Sequence, residues 1–147
     1  MALRFGAIAA ATALLAAIAI CSLTPSPNMR EMWWIPDWLG TWADRNGNFR
    51  NFPVFASYSA LLCLVVTFYQ QPATRYGRRR IAFGAFAATA LLGVALEALQ
   101  LLLPNRHADP MDLLWMTLGA FAGAFAAGLV STLWSSRSDV LRLNTVD

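Results

Sequence analysis

The chain has 147 residues, of which 58% are hydrophobic and 13% charged, and its mean hydropathy is +0.50. A soluble domain carries roughly 25% charged residues; here long stretches carry none, so lipid is the expected solvent and residues 1–147 the expected single domain. The net charge of +3 comes from arginine without lysine, and Arg75, Arg78, Arg79 and Arg80 cluster between two apolar runs, a pattern of cytoplasmic loops rather than of nucleic-acid surfaces.

The first apolar run is Phe5 to Leu23. At about 19 residues it can cross a ~30 Å hydrocarbon core. Secretory signals also begin with a positive charge and an Ala-rich run, but their apolar regions span roughly 7–15 residues. A retained helix is the expectation. Pro25 and Pro27 end it.

Residues 28–51 form a polar connection with four tryptophans, Trp33, Trp34, Trp38 and Trp42. Pro36 is tolerated only in a first helical turn, so a short helix starts near it and carries Trp38, Leu39 and Trp42. Tryptophan favours the headgroup level of a bilayer. The segment is therefore expected to be interfacial, with a substrate-stacking platform as the alternative.

Three further spans are expected at about 52–69, 81–103 and 110–134. Pro53 fits the first turn of one, and Pro104 stops the next. Gln70 to Arg80 is a basic connection, and 135–147 is a polar tail expected to fray. The result is an all-α, four-helix transmembrane bundle. The positive-inside rule places the arginine cluster and both termini in the cytoplasm, and the Trp-rich and Arg106 loops outside.

The ionisable residues gather between Glu97 and Asp112. Glu97 and Gln100 share a helix face. A carboxylate near the bilayer centre costs ~2.5–3.5 kcal/mol on insertion scales, and less towards the interface. Glu97 therefore needs a partner, a wet cleft or a proton. Arg106 is expected to fold back towards it, because a guanidinium can meet a carboxylate through two parallel hydrogen bonds. Asp109-Pro110-Met111-Asp112 reads as an N-cap, a proline at the first helical position and a first-turn acid. Gly119 and Gly123 form a GxxxG pair suited to close helix packing, and the same Gly/Ala face is open to use in an oligomer. His107 has no second histidine or cysteine nearby, and Cys21 and Cys63 lack metal-ligand spacing. No metal and no cofactor are expected.

Glu97-x-x-Gln100, followed by Pro104, Arg106, Asp109, Asp112, Gly119 and Gly123, resembles the core of the VanZ-like family of bacterial membrane proteins. Asn51-Phe52-x-x-Phe55 is similar to the start of an early helix in that family. Two positions depart from the pattern. Met116 stands where the family usually has asparagine, and Gly47 and Asn48 stand where an Asp-Lys pair is expected. The resemblance implies a multi-pass protein of the bacterial inner membrane. Through the family's namesake it also implies an effect on glycopeptide susceptibility. It implies no particular reaction.

Three functions remain open. The leading one is a non-enzymatic envelope protein whose outward polar cluster (Glu97, Gln100, Arg106, Asp109, Asp112) binds or shields a membrane lipid or cell-wall component. The second is an enzyme using Glu97 with Asp112 or Asp109 as an acid–base pair on a lipid-linked substrate. The third is a small transporter or a transporter subunit. The enzyme reading lacks a metal motif and an activated nucleophile. The transporter reading lacks charges along a path through the membrane.

Overall fold

The computed structural model describes residues 2–24, 28–72, 74–103, 107 and 109–143, with side chains between Phe5 and Trp134. Among the described residues five α-helices follow one another: α1 (Ala2–Leu23), α2 (Asp37–Asn46), α3 (Asn51–Gln70), α4 (Arg75–Gln100) and α5 (Pro110–Leu143). Short 3-10 turns occupy Met29–Glu31 and Gly47–Arg50, and no strand occurs among the described residues. The chain is all-α, with four helical segments long and apolar enough to cross a membrane. The second of these runs from Asp37 to Gln70 and takes in α2 as well as α3.

The closest pairing is between α3 and α5. Gly119 and Gly123 of α5 lie against the α3 backbone at Phe52 and Ala56. A Cβ added at Gly123 would lie 2.7 Å from the Ala56 carbonyl carbon and overlap its oxygen. Lipid tails are as apolar as leucine, so van der Waals packing has to hold such helices together, and small residues permit it. The Gly119–Gly123 edge is therefore occupied within the chain. Gly93 of α4 does similar work: its missing side chain leaves room for Met116 and Phe55, whose atoms lie 3.2 and 3.3 Å from where a Cβ would stand.

Two apolar clusters fill the bundle. Ile18, Phe55, Leu96 and Met116 join α1, α3, α4 and α5 at one end. Cys63, Ile81, Ala85 and Ala127 join α3, α4 and α5 at the other. The buried residues of α4 recur at three- and four-residue spacing, from Ile81 through Ala85, Thr89, Gly93 and Leu96 to Gln100.

Helix bounds differ from the expected spans in three places. The arginine cluster is helical, not a connecting loop: α4 begins at Arg75, where the Thr74 hydroxyl caps it by accepting from the Gly77 N–H at 3.1 Å. Arginine is a good helix former, so nothing in 75–80 resists this extension. At its other end α4 stops at Gln100. Leu102 and Leu103 donate instead to the Leu99 and Gln100 carbonyls, a tightened final turn. Leu103 precedes a proline, which disfavours α geometry. The α5 backbone continues past Trp134 to Leu143, into the segment expected to fray.

Candidate functional site: a polar cluster beside an apolar cavity

The starts of α3 and α5 and the end of α4 meet at one end of the bundle. Asp109 opens α5. Its Oδ1 accepts from the Met111 N–H at 2.8 Å, as an N-cap does. Its Oδ2 accepts from Asn48 Nδ2 at 2.7 Å. One turn further, Asp112 Oδ1 accepts from Asn51 Nδ2, also at 2.7 Å. Two asparagines three apart thus meet two aspartates three apart. Beside this ladder lies an aromatic group, with Trp115 packed edge-on against Phe49 and Phe52 at 5.1 and 6.1 Å.

Glu97 is 6% exposed, and its Oε2 accepts from the Asp109 N–H at 3.1 Å. The carboxylate therefore fastens the end of α4 to the start of α5. Because α4 stops at Gln100, Glu97 sits in its last turn, nearer the surface than a helix reaching Leu103 would place it. A residue in the last turn avoids much of the mid-bilayer cost. Gln100 is also buried, at 5% exposure. Arg106, expected to pair with Glu97, lies outside the described residues. His107 is exposed.

Next to the ladder is a cavity of about 250 Å³. Its walls are largely apolar: Leu14, Ala17, Ile18 and Cys21 from α1, Val54 and Phe55 from α3, and Trp34, Leu39 and Trp42 from the tryptophan segment. Its polar lining consists of Ser22 from α1 together with Arg50, Asn51, Gln100 and Asp112. Of the expected cluster, then, Gln100 and Asp112 reach the cavity. Glu97 and Asp109 stand behind them, holding the connection between α4 and α5.

The tryptophan segment is tied down by Asp44. Its Oδ1 accepts from the Met29 N–H at 2.8 Å and its Oδ2 from the Arg30 N–H at 3.3 Å. Arg50 Nη1 lies 3.6 Å from Oδ1. Gly40 of α2 faces the Arg30 backbone, which would be 3.0 Å from a Cβ. The tryptophans are unequal as a result. Trp33 and Trp38 project outward, whereas Trp34 and Trp42 contribute to the cavity wall.

Both departures from the family pattern have local explanations. Gly47 has φ 45° and ψ −120°, a conformation that residues with a Cβ rarely adopt. Asn48 then supplies a neutral donor to Asp109. Met116 is 2% exposed, lines the cavity and packs against Gly93 and Phe55, so an apolar side chain occupies that floor. The parts that sequence reasoning missed are Arg50 as a cavity residue and the asparagine–aspartate pairing. The matching three-residue spacing of Asn48/Asn51 and Asp109/Asp112 was the available signal.

Neither a curated protein nor a solved structure matches the chain. The family model described as VanZ/LLP1 matches residues 5–131, which include the first three membrane-length segments and all but the last three residues of the fourth, together with the ladder, the cavity lining and both packing glycines. With four helical segments of membrane length joined by this match, the chain is a multi-pass membrane protein and belongs to the VanZ/LLP1 family.

Proposed function

We propose that the protein binds an amphipathic component of the bacterial envelope, a lipid-linked molecule whose polar head meets Arg50, Asn51, Gln100 and Asp112. The observation that carries this reading is the cavity. Its lining offers a cation, two amides and a carboxylate, while α1 and the tryptophan segment offer mostly apolar wall. An arginine fork suits phosphate or carboxylate. Pockets for drug-sized ligands measure ~300–1,000 Å³. At about 250 Å³ this cavity suits a headgroup with the first part of a chain rather than a whole lipid.

In this reading Glu97 and Asp109 hold the site in shape and Gln100 and Asp112 touch the ligand. The protein lies in the inner membrane with the arginine end of α4 and both termini cytoplasmic, so the cavity faces outward. Sequestering an outward-facing envelope component would alter glycopeptide susceptibility. The acid–base alternative is less favoured, because Glu97 accepts from the Asp109 N–H, the Asp109 carboxylate accepts from Asn48 and Met111, and neither acid lines the cavity.

The test is mass spectrometry of amphiphiles that co-purify with the protein. Ala17→Phe, which fills the cavity from α1, and Gln100→Leu should each deplete one amphiphile from protein of unchanged helicity. Glycopeptide susceptibility of cells carrying these variants should move towards that of cells lacking the protein. If the wild type and both variants carry the same lipids in the same amounts, the reading fails.

A further inference from the structure

A second feature lies at the opposite end of the bundle. There α4 and α5 flank a groove of about 380 Å³. From α4 it is lined by Arg75, Arg78 and Arg79 and then by Phe83 and Phe86; Phe121 and Phe125 line it from α5. Ala82 and Gly128 lie between these rims, with only 3.2 Å between the Ala82 Cβ and a Cβ position at Gly128. The lining of each helix follows one stripe at three- and four-residue spacing, so the groove runs along the helices.

Its length has a physical meaning. From Arg75 to Phe86 is eleven residues, about 16 Å of helix at 1.5 Å per residue. Half of a ~30 Å hydrocarbon core is about 15 Å. The groove therefore starts at the arginines and reaches about the depth of one leaflet. The rings form a continuous series: Phe83 to Phe86 at 6.2 Å, Phe86 to Phe121 at 6.0 Å, and Phe121 to Phe125 at 6.0 Å.

Among the described residues the charge at its mouth is unbalanced: none of those lining the groove is a carboxylate, and α4 has no acid in its first turn. Cations at a helix N-terminus also oppose the positive end of the helix dipole. Arg78 donates from Nη1 to the Pro72 carbonyl at 2.9 Å, while its buried Nε has no acceptor among the described residues. A second copy using the same groove about a two-fold axis would set arginines against arginines. An anion attached to an apolar chain satisfies every one of these features.

We propose that the α4–α5 groove binds one anionic glycerophospholipid from the leaflet at the arginine end, with its phosphate at Arg75, Arg78 and Arg79 and an acyl chain along the four phenylalanines. This site is separate from the cavity and does not depend on the function proposed for it.

The test uses the full chain, delipidated in detergent and titrated with dioleoylphosphatidylglycerol or dioleoylphosphatidylcholine, with bound lipid counted by native mass spectrometry. The wild type should retain phosphatidylglycerol in preference. Each arginine near an anionic lipid surface is worth a factor of about five, so Arg79→Gln should lower retention by about that much. Phe125→Ala should lower retention of both lipids. Arg80→Gln is the control: Arg80 lies off the groove, 5.9 Å from the Tyr76 ring, and should change nothing. Equal retention of the two lipids overturns the proposal. An Arg80→Gln loss matching that of Arg79→Gln also overturns it, since the preference is then a property of the whole basic end. Cross-linking of two copies of a Phe125→Cys variant through that position would assign the groove to protein and overturn it as well.

Discussion

Asn51 at the start of α3 donates to Asp112 in the first turn of α5 across 2.7 Å, joining positions 61 residues apart. The bond locks the two helices in register, where the glycine contacts below bring them together. A hydrogen bond to a charged group contributes ~1.5–3 kcal/mol. Asn51→Leu should therefore destabilise the bundle by roughly 2 kcal/mol, read by unfolding in mixed micelles. Asp112→Asn should cost less, since an amide oxygen can still accept. An unchanged midpoint for Asn51→Leu would show that the bond carries no net stability.

Packing at Gly123 gives a steeper expectation. The Ala56 carbonyl leaves no space for a side chain there, and overpacking costs typically ~1–3 kcal/mol, occasionally more. Gly123→Leu should lower the melting temperature in detergent, and Gly123→Ala should lower it by less. Gly84, which has nothing within 4 Å of its Cβ position, should accept alanine without loss. Equal behaviour at both positions would contradict the close α3–α5 contact.

Glu97 and Arg106 are expected to be coupled. A carboxylate buried to 6% exposure needs more than one neutral donor. Breaking a buried pair by removing one partner costs ~3–5 kcal/mol. Glu97→Gln and Arg106→Gln should each be damaging, and the double variant should be less damaging than their sum. Strict additivity would sink the pairing. Arg106→Lys adds a second readout, because a lysine keeps the charge but loses the fork.

Topology is the fourth expectation. Reporter fusions after Gly77 and at the C-terminus should read cytoplasmic, and fusions near Gly47 and Asn105 should read external. A cytoplasmic signal near Asn105 would turn the cavity towards the cell interior and remove the envelope reading.

The membrane-length helices were legible because each contains a long uncharged run and prolines bracket those runs. Asp109-Pro110-Met111-Asp112 announced the start of α5 by local chemistry alone, and Asp109 caps it. The GxxxG pair was legible as a packing device, but not its partner: nothing local to Gly123 points to Ala56, which lies 67 residues away. The cavity was hidden for the same reason, since its lining comes from four helices and the tryptophan segment. The reach of α4 back to Arg75 was obscured because a basic cluster reads as a loop in membrane topology, while arginine itself is content in a helix.

Among the described residues of α1 only Ile18 is buried, and a Cβ added at Gly6 would meet nothing within 4 Å. By contrast, α5 is pressed onto α3 at two glycines. Stability in a fold is uneven, and the least packed element separates first. Of the four membrane-length spans the least buried is α1, which also forms one wall of the cavity. Its excursions away from the α3–α5 pair would unseal the cavity sideways into the bilayer without unfolding the rest. A ligand entering by that route is drawn from the membrane pool, so occupancy should follow the mole fraction of the amphiphile among lipids rather than its concentration in water.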